Sequence, residues 1–459
     1  MAVDMETLGQ ISLFEHSCWR TTVRVEPDHK LVVLCRAIPW EDTMEKAIPI
    51  LYGDQGIALD TGGRKLNLRA HLGAYILQTV HGWTDRFTEE MLKFYIPARL
   101  FCGFLESEGS LDHTSIEEFR NRFGTRGAEL ITHDPMKIAK EFGFTKAEDV
   151  DMDTTVQEAG ITHPTEMKLM GHLIKRLRKI DDEIKKGGRR GLGGIAKAAK
   201  EFGKIATHYR FFSKTKSAKE KIHREAVRLS QQALSSLSEI LPGTQSFDTL
   251  KGRYQQEVLR FLDLGPKLLE QILYWLKHGK VAQHKIVSLW KLVPTCISKG
   301  KIGKPVEFGR KWIINCYKGG YVLVAAPENP KLSDQHSVIE SLSLHREFFD
   351  KMPKSYATDR GMSSTENLEY CLNAGIDKIG IQPKGKRASL VSAKEQKRLS
   401  DRRAGIEPRI AHLKARGLGK SRMKTDMGDL ISGYRSALSY NLSHLMRDLI
   451  KNEINFVPG

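Results

Sequence analysis

The sequence predicts an α/β chain: a mixed sheet, preceded by a helical region and interrupted after its first strand by a long helical insertion. Three observations predict it. Residues 149–157, DVDMDTTVQ, alternate side chains at the two-residue period of a strand. Two further apolar runs, KPVEFGRKWIINCY and GGYVLVAAPE, meet around Lys318-Gly319-Gly320, which is a hairpin signal. Between these strand regions, from residue 166 to about 290, apolar residues recur at helical steps.

Composition narrows the function classes. A chain of 459 residues is long enough for roughly two to four domains. Its 40% hydrophobic content fits a folded protein. The formal net charge of +18 points to a polyanionic partner, with nucleic acid ahead of an anionic membrane surface because Lys and Arg are spread along the chain. No run approaches the ~18 apolar residues needed to span a bilayer, so no membrane partner is expected. The start, MAVDMETLGQISLFEHS, carries early acids and lacks a basic-then-apolar secretory pattern. Six cysteines, at 18, 35, 102, 296, 316 and 371, form no CxxC pair. They read as reduced cytoplasmic thiols, with no disulfide framework or zinc site.

Taken in order, residues 1–135 read as a helical, DNA-binding domain. Residues 66–106 have helical periodicity, with starts at Thr84-Asp85 and Thr88-Glu89 and a break at Pro97. HTSIEEFRNRFG, 113–124, reads as a short helix capped by Thr114 or Ser115 and stopped by Gly124. A plain helical packing domain fits the same pattern. Residues 136–165 hold a connector and the first core strand. On that strand Val150, Met152 and Thr154 face one side, Asp151 and Asp153 the other. An acid on a strand is unfavourable unless a site uses it, although an edge strand with solvated acids would read alike.

Residues 166–290 form the insertion, which is rich in Gly, Lys and Arg in its middle. Tyr209, Phe211 and Phe212 lie among its cations, and KIVSLWKL is expected to close it as a helix. Such a basic run can neutralise phosphates or be a solvated face. Residues 291–459 supply the rest of the core. QHSVIESLSLHREFFD is a helix, and SYATDRG a strand ending at Asp359. Ser363 to Glu366 has capping-box spacing before the helix NLEYCLNA, and DKIGIQP is another strand. KGKRASLVSAKEQKRLSDRR is a basic connector and helix. In the tail, Leu430, Tyr434, Leu438, Leu442, Leu445 and Leu449 form a packing stripe.

RRAGIEPRIAHLKARGLGK, 402–420, holds Glu407 in a run of positive charge. In a continuous helix Arg403, Glu407, Ala411 and Lys414 would share a face. Pro408 inside a helix would cost about 3 kcal/mol, so either a new helix begins near Glu407 or a longer one bends there. In the first case Arg403 is placed by a turn. Asp153, Asp359 and Glu407, at sheet ends and on a covering helix, can converge. Carboxylates suit magnesium, which takes oxygen ligands, and two such ions can serve an in-line phosphoryl displacement.

These residues resemble a family. RAHLGAYILQTV, PARLFCGFL and DHTSIEEFRNRFG look like the helical N-terminal domain of bacterial insertion-sequence transposases of the DDE type. DTTVQEAGITHPTE resembles their first-aspartate motif, and ISKGKIGKPVEFGRK with YATDRGMSS resembles the approach to the second. RRAGIEPRIAHLKARGLGKSRMK resembles the glutamate motif, with Ser400 where that motif has tyrosine. The resemblance implies a ribonuclease-H-like mixed-sheet core. It implies Asp153, Asp359 and Glu407 as catalytic residues and ligands of two Mg2+ ions, with Mn2+ able to substitute. Arg403, Lys414, Arg360 and Lys420 would contact DNA phosphates. The implied activity is hydrolysis at transposon ends, then transfer of the 3′-hydroxyl into target DNA. The partner would be double-stranded DNA, the active form a homodimer, and the location the nucleoid of a bacterial or archaeal cell. Two other readings stay open: a ribonuclease-H-like nuclease without strand transfer, and a non-catalytic DNA-binding protein derived from a transposase.

Overall fold

The computed structural model describes residues 25–53, 66–104, 109–282, 285–291, 295–301, 304–327, 329, 333–382, 389–421, 423 and 425–452. The readings made above for residues 1–24, for Cys18 and for residues 383–388 of the basic connector lie outside them.

The N-terminal region is helical: α1 (Lys30–Ala37), α2 (Trp40–Tyr52), α3 (Leu68–His81), α4 (Asp85–Phe94), α5 (Ile96–Phe101), α6 (His113–Thr132) and α7 (Asp134–Glu141). Local chemistry sets the boundaries. Asn67 caps α3 by accepting from the Ala70 amide, and Thr84 caps α4 by accepting from Phe87. Asp112, not Thr114 or Ser115, caps α6: its carboxylate takes both of their amides, at 2.9 and 3.0 Å. Gly124 kinks α6 at φ 57° without ending it. The stretch read as a connector holds α7, with Pro135 in the first turn, where no amide is needed.

Among the described residues the sheet has six strands: β1 (Asp149–Glu158), β2 (Thr295–Lys301), β3 (Lys304–Cys316), β4 (Val322–Ala325), β5 (Ser355–Thr358) and β6 (Lys378–Ile381). Their order is β2-β3-β1-β5-β6, with β4 also on β3. β1 is therefore interior, not an edge strand. It runs antiparallel to β3 and parallel to β5, which is parallel to β6. The hairpin read around Lys318–Gly320 joins β3 to β4. β2 was not legible, because TCISKGK offers only Cys296 and Ile297 as apolar residues. α13 (Ser337–Phe349) and α14 (Thr365–Asn373) flank β5 in sequence, and the cap of α14 is Ser364, one residue past the expected one.

The insertion after β1 comprises α8 (Glu166–Lys186), α9 (Gly193–Phe211), α10 (Lys216–Leu237), the short α11 (Gln245–Asp248) and α12 (Gly252–His278). It has its own buried cluster, including Leu173, Leu177, Ile180, Ala198, Phe261 and Leu268. KIVSLWKL is not helical over its described residues, 285–291. The Gln271 side chain instead takes both backbone groups of Ile286, at 2.7 and 3.1 Å, so a side-chain amide replaces helical partners.

The last described helices are α15 (Ala393–Ala404), α16 (Ile406–Leu413) and α17 (Asp426–Lys451). The packing role read for the tail holds. α17 buries Tyr434, Leu438, Leu442, Leu445 and Leu449 and touches α1, α3, α6, α7 and β4. One continuous core thus spans the N-terminal helices, the sheet and α17. Polar contacts fix the seat. Tyr434 donates to Glu129 at 2.6 Å, and Asn441 brackets both backbone groups of Val322 at 3.0 and 2.8 Å.

Candidate active site

On β1, Asp149, Asp151 and Asp153 follow the two-residue period onto one face, while Val150 and Met152 are buried on the other. Asp151 pairs with Ala357 of the parallel neighbour β5. Carrying that register on by two residues sets Asp153 level with Asp359, the first residue beyond β5. Asp359 is exposed, and its carbonyl accepts from the Met362 amide at 3.0 Å, opening a short 3-10 turn.

α15 lies across β1, β5 and β6, anchored by buried Leu399. Its last turn delivers two arginines to the acids of β1. Arg402 donates from Nε to both Asp151 oxygens at 2.8 and 3.1 Å, and from Nη1 to Asp149 at 2.6 Å. Arg403 Nη1 lies 3.4 Å from Asp153 Oδ2. Asp151 is 6% exposed. Burial pushes its carboxyl above the ordinary range, and Arg402 pulls the other way. The role of Arg402 and Asp149 was missed in the sequence. The available signal was the doublet Arg402-Arg403 opposite three acids spaced by two.

Gly405 separates α15 from α16. Of the two readings of Pro408, the new helix is the one found. Pro408 stands in the first turn of α16, where its missing amide costs no hydrogen bond. Arg403 is not placed by a turn, however: it stands in the last turn of α15, on the other side of Gly405 from α16, so no single helix carries Arg403, Glu407 and Lys414. Buried Ile406 and Leu413 hold α16 against the core, it touches β1, and Arg409 donates to the Tyr317 carbonyl at 3.3 Å. Glu407 is exposed on that helix.

Beyond α16, residues 414–418 form a wide turn in which Gly417 has φ 126°. The turn returns the chain to the end of β1. The Glu158 amide donates to Gly419 at 2.8 Å and the Ser421 amide to Glu158 at 3.1 Å. Lys420 is exposed beside that pairing, Lys414 is half-buried, and Arg360 is exposed next to Asp359.

The structure therefore pairs the strand that carries Asp153 in parallel with the one that leads into Asp359, puts Arg403 on Asp153, and carries Glu407 on a helix that touches β1. Among the described residues, no group of three or more His, Cys, Asp or Glu side chains is set to hold a metal ion. The donor chemistry still suits a hard cation. Magnesium needs only one or two carboxylates and keeps its waters. No described helix is long and apolar enough to cross a membrane.

Residues 20–122 match the family described as Transposase domain (DUF772). Over 200 residues the chain is 28% identical to "Uncharacterized protein ORF8 in nfe locus" of Rhizobium meliloti, a span covering 41% of this chain and 90% of that protein. These likenesses support a transposase family. No solved structure matches the chain.

Proposed function

We propose that the chain is a DDE-type DNA transposase with a ribonuclease-H-like core. The observation that carries the reading is the parallel pairing of β1 with β5, which runs Asp153 toward Asp359, the first residue past β5, with an arginine against Asp153. The strand order, with β1 interior, an antiparallel hairpin on one side and parallel strands on the other, supports it. So does the transposase-domain match in the N-terminal helices.

In this reading water hydrolyses a phosphodiester at the transposon end and frees a 3′-hydroxyl. That hydroxyl then attacks a phosphodiester of target DNA and displaces its own 3′-oxygen. Mg2+, or Mn2+ in its place, would be held by Asp153, Asp359 and Glu407 and would supply Lewis-acid stabilisation of charge at the phosphate. Arg403, Lys414, Arg360 and Lys420 neutralise DNA phosphates and hold the strand in line. Arg402 fixes α15 on β1 and so aims Arg403. Pairing two transposon ends calls for a homodimer on DNA, working in the nucleoid.

The test is a cleavage and strand-transfer assay in magnesium, on DNA that flanks the gene, with Asp359→Asn as control. The wild type should cut and join, and the variant should bind DNA yet lose at least about a hundredfold in cleavage rate. Equal cleavage by both would reject the assignment. Cleavage without joined product would leave a nuclease.

A further inference from the structure

The tip of the hairpin formed by α9 and α10 carries a second surface that the chemistry above does not use. Phe211 and Phe212 end α9 and are 61% and 68% exposed. Single exposed apolar residues are common on protein surfaces. Two adjacent rings at one tip, 6.4 Å apart, on a well-anchored base, are not that case. The preceding aromatic, Tyr209, turns inward. Its ring meets His223 edge-on at 5.1 Å, and His223 meets Trp275 of α12 at 5.1 Å. The Ser213 amide closes the turn on the His208 carbonyl at 3.2 Å, and Thr215 caps α10. The two phenylalanines are thus held outward by a packed base.

Charge surrounds them. Residues 204–224 contain seven Lys or Arg and one acid, Glu220. The Arg210 guanidinium lies 5.2 Å from the Phe211 ring centre. Lys214, Lys219 and Lys221 are exposed and make no ion pair among the described residues. The Lys216 ammonium is 4.0 Å from the Glu220 carboxylate and 93% exposed. Between the cations stand exposed Thr207, Thr215 and Ser217. An interfacial membrane helix needs a broad apolar face, and this tip has two rings only. Duplex DNA needs what is here: cations for phosphates on both sides of a small apolar wedge.

We propose that this tip is a DNA wedge: Phe211 and Phe212 enter one base step and kink the duplex, while Arg210, Lys214, Lys216 and Lys219 hold the flanking phosphates. The proposal rests on the transposase reading for its partner and adds a DNA-deforming element to it. A wedge gains most where the step is already weakly stacked. The full chain should therefore bind a duplex with a central mismatch roughly tenfold tighter than the matched duplex. Phe211→Ser with Phe212→Ser should lose the preference, binding the mismatched duplex no more tightly than the matched one. Phe211→Leu with Phe212→Leu should restore much of it. Lys214→Ala, Lys216→Ala and Lys219→Ala together should weaken binding to both duplexes and lower the salt slope by up to about three. Unchanged melting temperatures verify that the variants are folded. A wild type without mismatch preference, or a serine variant that keeps it, overturns the wedge alone. A wild type that binds neither duplex removes the transposase reading as well. Sedimentation with phosphatidylserine vesicles that depends on the two rings, with DNA binding indifferent to them, would assign the tip to a membrane instead.

Discussion

Arg403 Nη1 stands 3.4 Å from Asp153 Oδ2, at the point where β1 comes level with Asp359. The contact is long for a charge-assisted hydrogen bond, which typically measures about 2.7–2.9 Å between the heavy atoms. Its neighbour Arg402 makes the tighter grip, on Asp149 and Asp151. One arginine is thus committed to holding the helix, and the next is loosely held beside the proposed ligand.

A divalent ion at Asp153 has to compete with that guanidinium. A partly exposed pair is worth about 1 kcal/mol or less, so Arg403→Ala should tighten Mn2+ binding to the DNA-free protein by up to about fivefold. If the proposed function holds, the same variant should cut DNA more slowly, because Arg403 would no longer reach a phosphate. Electron paramagnetic resonance titration reads the first effect and a cleavage assay the second. An unchanged Mn2+ affinity would show that Asp153 is not where the ion sits.

Lys291 and Asp429 join the segment after the insertion to α17, 2.6 Å apart, with side chains only 3% and 5% exposed. Lys291 also donates to the Met423 carbonyl at 2.8 Å. Removing one partner of such a buried pair leaves a bare charge in the core. Lys291→Met should lower stability by about 3–5 kcal/mol, and adding Asp429→Leu should recover most of that. Urea midpoints of the two variants decide it; a double variant no better than the single one would contradict a buried, mutually neutralising pair.

What the sequence made legible, and what it hid, follows from the range of each interaction. β1, the β3–β4 hairpin and α17 were readable because their periodicity is local and strong. Pro408 narrowed its region to two choices, and the break at Gly405 selected one. α7 was hidden by His133-Asp134-Pro135, whose proline starts a helix instead of marking a connector. The sequence put Asp151 and Asp153 on one side of β1, yet could not show Arg402 reaching across about 250 residues to pair with Asp151. Nor could composition reveal that Tyr209 turns inward while Phe211 and Phe212 turn out. Those distinctions arise from tertiary packing, which pattern alone does not encode.

Gly433 faces the Trp312 indole, so a Cβ there would overlap the ring. Trp312 is fully buried and donates to Gln157 Oε1 at 3.0 Å, so it cannot move without giving up a hydrogen bond next to the end of β1. Alanine is the better helix former by about 1 kcal/mol, but overpacking a filled core costs about 1–3 kcal/mol. Gly433→Ala should therefore be destabilising, and more so than Gly203→Ala, where the added carbon meets open space. Paired thermal melts test this, and a Gly433→Ala protein as stable as the Gly203→Ala protein would mean that α17 can lift from Trp312 at little cost.

His345 is fully buried with Nδ1 3.0 Å from the Tyr317 hydroxyl, while Nε2 has no hydrogen-bond partner among the described residues. A second proton there would be buried without an acceptor. Burial, with a smaller contribution from Lys351, brings its pKa down from 6.5 to about 4. Burial does the same to His133, also to about 4, against an opposing hydrogen bond to the Val324 carbonyl. A lowered folded-state pKa means that the unfolded chain takes up the proton first. The stability is fully present above pH 6.5, is lost as the pH falls from there toward 4, and changes no further below it. For His345 the loss is at most about 3 kcal/mol. His345→Gln removes the titration while keeping a group that can bond Tyr317. Subtracting its stability-against-pH curve from that of the wild type cancels the carboxylates and should leave a step between pH 6.5 and 4. A flat difference would mean that His345 is already able to take a proton in the folded protein.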